Sequence, residues 1–339
     1  MRKQLTLAAI GIATGLLAGT PDAVASEKLL LSSISPPNHW SSTEGFVPFM
    51  ACVKTESNGE IDFSYFPSSQ IASATESLDA VNKGLAQISY LVISALSNKM
   101  PLSGISMLPN MGDTSTEMAK INRQVLEADG VFLKEFISNR VYPLIVIMTP
   151  PYQIMSRGKP MDSLDAIAGK KVSASGGALL YTLKSVGAVP VEIGGSDAYM
   201  ALQQGVVDGS LLAIPSVAPY KLQEVLKSIS TNGAFGSAAG ILAIDADVWQ
   251  KLSPKNQKIM KDCGLKAETH VAKYLDDLTG KLKVEFAAGG VKMYEFTPET
   301  RAVLDNKVRN VADEYVNRLQ SRGIPAREAY DTYLKALGR

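Results

Sequence analysis

The residues able to do catalytic or metal chemistry are few in this sequence. Only two histidines occur, His39 and His270, and neither has the HExxH spacing of a zinc hydrolase. Two histidines cannot form a histidine-rich metal site. A serine triad would need one of them as its base, yet His270 falls within a long helical pattern among charged neighbours, which is typical of a solvated residue. The sequence therefore predicts neither catalytic residues nor a bound metal.

Glycine-rich stretches that could bind phosphate also lack the required spacing. The runs Gly169-Lys170-Lys171 and Gly280-Lys281 miss the glycine spacing and the hydroxyl of a GxxxxGK[ST] loop, and no GxSxG motif occurs. The pairs Gly176-Gly177 and Gly194-Gly195 do not form GxGxxG, so they favour tight turns between a strand and a helix. We therefore expect no cofactor and no enzymatic activity.

Composition excludes several further classes of protein. The chain has 339 residues, of which 46% are hydrophobic and 20% are charged, so it is too apolar to be disordered. Its 34 basic and 33 acidic residues nearly cancel, and this balance argues against a nucleic-acid partner. A chain of this length has room for two globular lobes with cores of their own.

The N-terminal segment, from Met1 to Ala25, has the pattern of a secretory signal peptide. Arg2 and Lys3 precede an apolar stretch from Leu5 to Leu17, and Ala23-Val24-Ala25 places small residues before a cut at Ser26. The apolar stretch is shorter than the roughly 20 residues that a membrane-spanning helix needs. We expect an exported protein that is cleaved after about Ala25, lies in the periplasm and does not itself span the membrane after processing.

Export leaves two interpretations for the two cysteines. Cys52 and Cys263 lie too far apart in sequence for a CxxC redox or zinc motif. An oxidising compartment allows them to form one disulfide. Each also fits the apolar side of a helical pattern, so a pair of buried free thiols is equally compatible with the sequence.

Strand and helix patterns alternate along most of the chain and restart after Pro150-Pro151. This alternation predicts two α/β units, the first with a largely parallel sheet. In the first unit the patterns predict strands at Lys28–Ile34, Ile61–Phe66, Ile88–Ile93 and Tyr142–Met148, and helices at Ser41–Glu56, Leu78–Asn82 and Thr116–Asn139. In the second they predict strands at Tyr152–Ser156, Lys171–Ser175, Val189–Ile193 and Leu211–Ile214, a short helix at Ser163–Ile167, a helix to Val186 and a helix capped by Ser196.

The last third of the chain is predicted to be mainly helical. Ser253-Pro254 is a strong helix start, and the apolar positions of a helix recur from Ile259 through Leu282. A helix of this length in a protein of this size is expected to brace more than one unit. Thr297-Pro298 predicts another helix to about Leu319, and Ile324 to Leu337 predicts a last one.

The sequence resembles the extracytoplasmic solute receptors of tripartite ATP-independent periplasmic (TRAP) transporters, in the C4-dicarboxylate-binding-protein family. The resemblance covers essentially the whole mature chain, and its most specific part runs from Tyr199 to Gly209. The segments that carry it are Phe66-Pro67-Ser68-Ser69-Gln70, Leu164 to Val172, Gly187-Ala188-Val189-Pro190-Val191, Ala198 to Gly209 and Trp249 to Pro254.

The resemblance implies a two-lobed periplasmic solute-binding fold of the α/β class, with mixed sheets, hinge strands and one long bracing helix. The ligand would lie in the cleft between the lobes and would be handed to the membrane permease subunits of a TRAP transporter. On this basis residues 26–150 and about 238–278 are assigned to lobe I. Residues 151–237 and about 279–339 are assigned to lobe II, and the two lobes share the helix at about 254–288.

The sequence departs from the family pattern where the ligand is usually held. The family usually has a carboxylate-binding arginine where this chain has Ser173, and a second arginine where it has Gln153. Two further positions that are often polar or charged are occupied by the apolar runs Leu211 to Ile214 and Tyr90 to Ile93. Arg157 is the one arginine between residues 141 and 300, and its position beside Gly158 favours a solvated turn.

These departures predict a ligand that is neutral, zwitterionic or apolar-bodied, because a buried carboxylate without a cationic partner is costly. The alternatives are a mono- or dicarboxylate receptor with a relocated anchor, or a periplasmic sensory receptor that serves a signalling partner. The candidate ligand-binding residues are Ser33, His39, Trp40, Gln70, Tyr90, Val92, Tyr152, Gln153, Ser173, Ser175, Gly176, Gly195 and Leu212.

Overall fold

A computed structural model describes residues 27–128 and 130–339. The predicted signal peptide and its cleavage site lie outside the described residues. Within the described residues no helix is long and apolar enough to cross a membrane. The fold contains two separate mixed sheets with helices packed around them, which is the two-lobed α/β architecture that the sequence predicts.

The first sheet has the strand order β2-β1-β3-β10-β4. Its strands are β1 (Glu27–Ser32), β2 (Ile61–Phe66), β3 (Ile88–Val92), β4 (Val141–Met148) and β10 (Ala239–Asp245). Strands β1, β2 and β3 pair in parallel, whereas β10 is antiparallel to both of its neighbours, β3 and β4. The sheet is therefore completed by a strand that follows β4 in the sequence only after β5 to β9 of the other sheet.

The second sheet has the order β11-β9-β5-β8-β6-β7. Its strands are β5 (Gln153–Ser156), β6 (Lys171–Ala174), β7 (Val189–Glu192), β8 (Gly209–Leu212), β9 (Ser228–Ser230) and β11 (Lys292–Tyr294). Strands β7, β6 and β8 are parallel, as expected for strands joined by crossover helices, and β5 is antiparallel to β8 and β9.

Two segments cross between the sheets. The first joins β4 to β5 through Pro150-Pro151, and the second joins β9 to β10. Hydrogen bonds tie them together: the amide of Thr149 donates to the Ala238 carbonyl at 3.0 Å, and the amide of Ala238 donates to the Thr149 hydroxyl at 2.9 Å. The predicted hinge near Thr149–Pro151 falls on the first of these segments.

Helices cover both sheets. They are α1 (Val47–Glu56), α2 (Ser77–Asn82), α3 (Ser115–Glu127), α4 (Val131–Ser138), α5 (Leu164–Ile167), α6 (Ala178–Ser185), α7 (Gly195–Gln203), α8 (Ala246–Lys251), α9 (Pro254–Ala288), α10 (Pro298–Arg309), α11 (Val311–Gln320) and α12 (Ala326–Ala336). A π-helical turn at Ser41–Phe46 leads into α1, and short 3-10 turns occupy Ile93–Leu96, Ser103–Met107, Ile214–Ser216 and Leu222–Glu224.

The long helix α9 begins where the sequence predicts. The Ser253 hydroxyl accepts a hydrogen bond from the Asn256 amide, and Pro254 occupies the first turn, where its missing N–H costs nothing. Met260 and Val271 pack in the core of the first sheet, whereas Leu282 and Phe286 pack in the other core cluster, together with residues of the second sheet. One rigid helix thus contributes to both cores, as predicted for a brace.

Three local predictions are wrong. The helix predicted from Thr116 to Asn139 is two helices, α3 and α4, because the chain is extended at Gly130. The helix predicted from Thr297-Pro298 to Leu319 is likewise divided at Asn310 into α10 and α11. Ser196 does not cap α7: the N-cap is Gly194, and Ser196 lies in the first turn.

Cys52 of α1 and Cys263 of α9 are joined by a disulfide, with their Cα atoms 5.8 Å apart. The bridge links positions that are 211 residues apart in sequence. It therefore fastens the long helix to the first sheet, since α1 packs on that sheet together with α9. Of the two interpretations left open by the sequence, the structure has the disulfide.

The bounds predicted for the two lobes remain a prediction. The two sheets follow those bounds, since β10 joins the first sheet and β11 joins the second. The C-terminal helices do not all stay with the second sheet, however, because α11 packs on α6 whereas α12 packs on α3 and α4.

Candidate ligand cleft

A cavity of about 460 Å³ lies between the two sheets. On one side its wall comes from β3, from the segments after β1, β2 and β3, and from the start of the first crossing. On the other side it comes from the segments after β6, β7 and β8. These are the carboxyl ends of parallel strands, where ligand sites of open α/β sheets occur. The fold therefore places the cavity where a solute could contact both sheets.

Five aromatic side chains dominate the wall: His39, Trp40, Tyr90, Tyr152 and Tyr220. His39 and Trp40 precede the π-helical turn, and their ring centroids lie 4.4 Å apart. Tyr220, from the segment after β8, reaches across the cavity and places its ring centroid 5.4 Å from that of His39. The result is an apolar slot in which a planar or apolar body could be enclosed.

His39 is neutral, and its Nδ1 contacts both the amide and the hydroxyl of Ser41. The amide of Ser41 donates to Nδ1 at 3.2 Å, and the Ser41 hydroxyl lies 2.8 Å from the same nitrogen. The Ser41 hydroxyl also donates to the Ser35 hydroxyl at 2.8 Å, so the ring is held by a network of side chains next to the cleft. Burial lowers the pKa of His39 to about 3, because the charged imidazolium would lose its hydration. The ring therefore contributes no positive charge to the cleft.

The indole of Trp40 is a donor without a partner. Trp40 is 4% exposed, and its Nε1 has no hydrogen-bond partner among the residues that the structure describes. Buried donors in folded proteins are almost always satisfied. Part of the Trp40 side chain lines this cavity and part borders a second one beside Thr43 and Tyr274, whereas Nε1 itself is buried.

The three tyrosines of the wall keep their protons at neutral pH. Burial raises the pKa of Tyr90 and Tyr152, and proximity to other tyrosines raises each further. Burial, together with the negative charge of Asp197, raises the pKa of Tyr220 to about 12. Each hydroxyl can therefore donate or accept a hydrogen bond, but none carries charge.

The charged residues of the cleft are acidic. Glu192, at the end of β7, and Asp197, in the first turn of α7, both line the cavity. Among the described residues, no Lys or Arg lines it. Arg157 is elsewhere, with its guanidinium close to Gly205 and on the wall of a different surface cavity. The electrostatic character of the cleft is therefore neutral to negative.

Comparison with known proteins agrees with this architecture. The family model described as bacterial extracellular solute-binding protein, family 7 (DctP), matches residues 31–319. The chain belongs to this family. It is 25% identical over 303 residues to the C4-dicarboxylate-binding periplasmic protein DctP of Rhodobacter capsulatus, covering 84% of this chain and 86% of that protein. It is 24% identical over 308 residues to the outer membrane transporter protein TsaT of Comamonas testosteroni, covering 90% of each.

Solved structures of TRAP solute-binding proteins share the fold. One from Rhodoferax ferrireducens, in complex with copurified benzoate, superposes with a TM-score of 0.85 at 19% identity and covers 92% of this chain and 98% of that one. One from Bordetella bronchiseptica, with bound (R)- and (S)-mandelate, has a TM-score of 0.81 at 19% identity and covers 91% and 97%. Members of this family are periplasmic solute-binding components of transporters, not enzymes.

Eight of the thirteen predicted ligand residues of this solute-binding protein line the cavity. They are His39, Trp40, Tyr90, Val92, Tyr152, Ser175, Gly195 and Leu212. They come from both sheets, and strand ends bring them together although most are far apart in the sequence. Contact of each with a ligand remains a prediction.

The other five lie outside this cavity. The Ser33 hydroxyl accepts from the Ser35 amide and is turned into its own loop, and Gln70 projects into solvent beside Ser69, which does line the cleft. Ser173 is fully buried, although Ser210, its register partner in β8, reaches the wall. These positions follow from the direction of each side chain, which a sequence pattern does not give.

Gln153 and Gly176 have structural roles rather than places on the cavity wall. The Gln153 side chain bonds the carbonyls of Pro151 and Gly233 and accepts from the Ser230 hydroxyl, so it fastens the crossing segments to each other. A β-carbon built at Gly176 would lie 2.7 Å from Oε1 of Glu192 and 2.8 Å from the Ser94 carbonyl oxygen. Glycine is needed there because the chain passes closely between these two oxygens, with φ of +116°.

Sequence reasoning missed several wall residues. Glu192 and Asp197 lie at and just after the carboxyl end of β7. Because ligand sites of α/β sheets occur at such strand ends, the same reasoning applied to β7 would have predicted both residues. Ser35 and Thr149 also line the wall, from loops next to strand ends. Tyr220 had no signal, because it follows an irregular segment after β8 and reaches the cavity only through the path of that segment.

Proposed function

We propose that this chain is an extracytoplasmic receptor that encloses one small organic solute in the cleft and delivers it to a TRAP-type permease. The solute is neutral, zwitterionic or apolar-bodied, rather than a dicarboxylate held by arginine. One observation carries this proposal: the described wall has five aromatic side chains and two carboxylates but no cationic residue. A dicarboxylate would have to give up its hydration without an opposite charge in return.

Relatives support an aromatic-bodied ligand more than a dicarboxylate. The structures that superpose with TM-scores of 0.81 and 0.85 were described with mandelate and benzoate, both of which have an aromatic ring. The slot between Trp40, Tyr90 and Tyr220 suits such a ring. The uncharged polar side chains of His39, Tyr90 and Tyr220 also leave room for the second candidate, a monocarboxylate held by neutral hydrogen bonds in place of arginine.

A thermal-shift screen of the mature protein tests the proposal. Solutes that bind only the native state raise the melting temperature, so aromatic and zwitterionic compounds should raise it while succinate, malate and fumarate do not. Tyr90→Ala should abolish the shift. Tyr142→Ala is the matched control, because Tyr142 stacks on Trp249 with ring centroids 4.3 Å apart and does not line the cleft.

Calorimetry tests whether the protein binds a dicarboxylate. Micromolar or tighter binding of any of the three dicarboxylates to the unmodified protein would overturn the proposed ligand class. A genetic experiment distinguishes transport from the alternative role as a sensory receptor. If the protein serves transport, deleting neighbouring permease genes should abolish uptake of the ligand. If it serves sensing, the deletion should leave uptake unchanged.

A further inference from the structure

Three tyrosine hydroxyls meet inside the cleft. Tyr90 comes from β3 of the first sheet, Tyr152 from the first crossing segment and Tyr220 from the segment after β8. Tyr90 and Tyr152 are only 7% and 4% exposed, so both side chains are enclosed by the protein. Burial, and then the proximity of Tyr220 and Tyr152, raises the pKa of Tyr90, and burial followed by Tyr220 raises the pKa of Tyr152. The three hydroxyls are therefore neighbours, although they come from distant parts of the chain.

Two of these hydroxyls have no partner in the protein. Within the described residues, the hydroxyls of Tyr90 and Tyr220 form no hydrogen bond, and neither oxygen is fully enclosed. Because both side chains line the cavity, their oxygens are open to it. The Tyr90 oxygen lies against Gly240 near the start of β10, next to the second crossing segment. The Tyr152 hydroxyl lies beside the Thr149 side chain, which also lines the cavity.

The charges of the cleft are placed differently from its hydroxyls. Glu192 and Asp197 are exposed, so their carboxylates stay hydrated, and pairing of a ligand cation with an exposed carboxylate contributes little to affinity. A ligand carboxylate at the hydroxyls would lie near Asp197, because burial and then the charge of Asp197 raise the pKa of Tyr220. A charged group of either sign would also exchange its hydration for neutral hydroxyls. An uncharged polar group has neither cost.

We propose that the hydroxyls of Tyr90, Tyr152 and Tyr220 hold an uncharged polar group of the solute, an alcohol, ketone or carboxamide on an apolar body. This assignment rests on the proposed function, since it names the ligand class of the same cleft. A phenol hydroxyl both donates and accepts, so three of them satisfy the O–H of an alcohol or the carbonyl and N–H groups of an amide. Tyr90 and Tyr220 come from opposite sides of the cleft, so a group that is held by both connects the two sheets.

Matched probes with one body and different polar groups test the proposal. Phenylacetamide and 2-phenylethanol are uncharged, phenylacetate is an acid, phenethylamine is an amine, and phenylalanine carries both charges. Thermal shift followed by calorimetry should rank one of the two uncharged compounds at least about tenfold tighter than each charged one. The affinity of that compound should be the same at low and high salt, because no charge is paired.

Two substitutions remove the hydroxyls and keep the rings. Tyr90→Phe and Tyr220→Phe should each weaken the uncharged probe about three- to tenfold, and their effects should be coupled in the double variant, because both hydroxyls contact one group. The melting temperature of the unliganded protein should stay the same or rise, because neither hydroxyl has a protein partner to lose. Tyr142→Phe is the matched control, since Tyr142 does not line the cleft. Glu192→Gln should leave the affinity of the uncharged probe unchanged.

The outcomes separate this proposal from the proposed function. A charged compound as the tightest ligand overturns the uncharged group, as does full affinity of both Tyr90→Phe and Tyr220→Phe for the uncharged probe. The proposed function still stands in those cases, because each of the probes has an apolar body. Uptake that does not depend on the permease overturns the transport role and leaves the three-hydroxyl site in place. A panel in which no compound binds counts against both.

Discussion

At the scale of single residues, the cleft depends on side chains that are buried and uncharged. His39 is the clearest case, because a histidine is normally half-protonated near pH 6.5, whereas burial holds the pKa of this one at about 3. The Ser41 amide, which donates to Nδ1, adds a second obstacle to protonation. The residue is thus uncharged throughout the physiological pH range.

The lowered pKa of His39 predicts acid sensitivity. Between pH 6.5 and pH 3 the unfolded chain binds a proton that the folded chain does not, so stability falls as pH falls through this window. The full effect is at most about 5 kcal/mol. Melting temperature measured against pH should fall less steeply below pH 6.5 for His39→Gln than for the wild type. His270→Gln is the control, since His270 is exposed and pairs with Glu44. Equal slopes for all three proteins would contradict the prediction.

Gly240 on β10 determines the position of Tyr90. A β-carbon at Gly240 would lie 2.0 Å from the Tyr90 hydroxyl oxygen and 2.4 Å from Cζ. Gly240→Ala should push the ring out of its place in the cleft wall and cost about 1–3 kcal/mol of stability. Ligand binding, followed by calorimetry, should be lost together with that stability.

A second glycine provides the control. Gly280 lies in α9, and a β-carbon added there would have no atom within 4 Å. Gly280→Ala should therefore stabilise the protein by about 0.5–1 kcal/mol without changing affinity. Normal ligand affinity in Gly240→Ala would show that Tyr90 can be displaced without consequence.

At the scale of elements, the sequence predicts most of the fold because the signals are local. Ile61–Phe66 is bounded by turns and is found at the predicted bounds, and Ser253-Pro254 starts α9 through a side-chain cap that depends only on neighbours. The break between α3 and α4 was missed because the apolar period continues across Gly130. Pairing of β10 between β3 and β4 is a non-local event, and no pattern within β10 encodes it.

The candidate site is predicted less completely for the same reason. His39 and Trp40 lie on the segment after β1 and Tyr90 lies within the neighbouring strand β3, so the strand order brings them to the cleft. Ser173 and Gln153 also lie on the correct strands, but the first is covered and the second bonds the crossing segments. The packing of distant segments decides whether a side chain is covered. A local sequence pattern carries no information about that packing.

The disulfide between α1 and α9 is an element-scale prediction of its own. Replacing both Cys52 and Cys263 by alanine should cost about 2–5 kcal/mol, because the unfolded chain is no longer constrained. Chemical denaturation measures this loss. Ligand affinity should stay the same, since neither cysteine lines the cleft. A variant with unchanged stability would show that α1 and α9 are held by packing alone.

At the scale of the whole molecule, the two sheets face each other across the cleft, and the segments that follow β3 and β6 touch. The Ser94 hydroxyl, after β3, donates to the Ser175 hydroxyl, after β6, at 2.7 Å. Gly177 packs beside Ser97 at the same place. These contacts are the ones that would separate if the crossing segments bent.

We expect the lobes to close around the ligand by a hinge at Thr149–Pro151 and the second crossing segment. Small-angle scattering should show a smaller radius of gyration once a ligand identified by calorimetry is added. Ser94→Ala should reduce the compaction, because it removes the bond across the cleft. Ser321→Ala should not, because Ser321 follows α11 and its hydroxyl bonds only the carbonyl of Arg318. Identical dimensions with and without ligand would contradict hinge closure.

The position of β10 also has a consequence for the order in which the chain can fold during synthesis. Strands β3 and β4 are made early, yet each lacks its neighbour until Ala239–Asp245 has emerged, after all of β5 to β9. The chain up to Pro150 therefore lacks the strand that lies between β3 and β4 and cannot complete the core of the first sheet alone. A nascent chain that stays unfolded until late in translation is also one that a secretion channel can thread through the membrane.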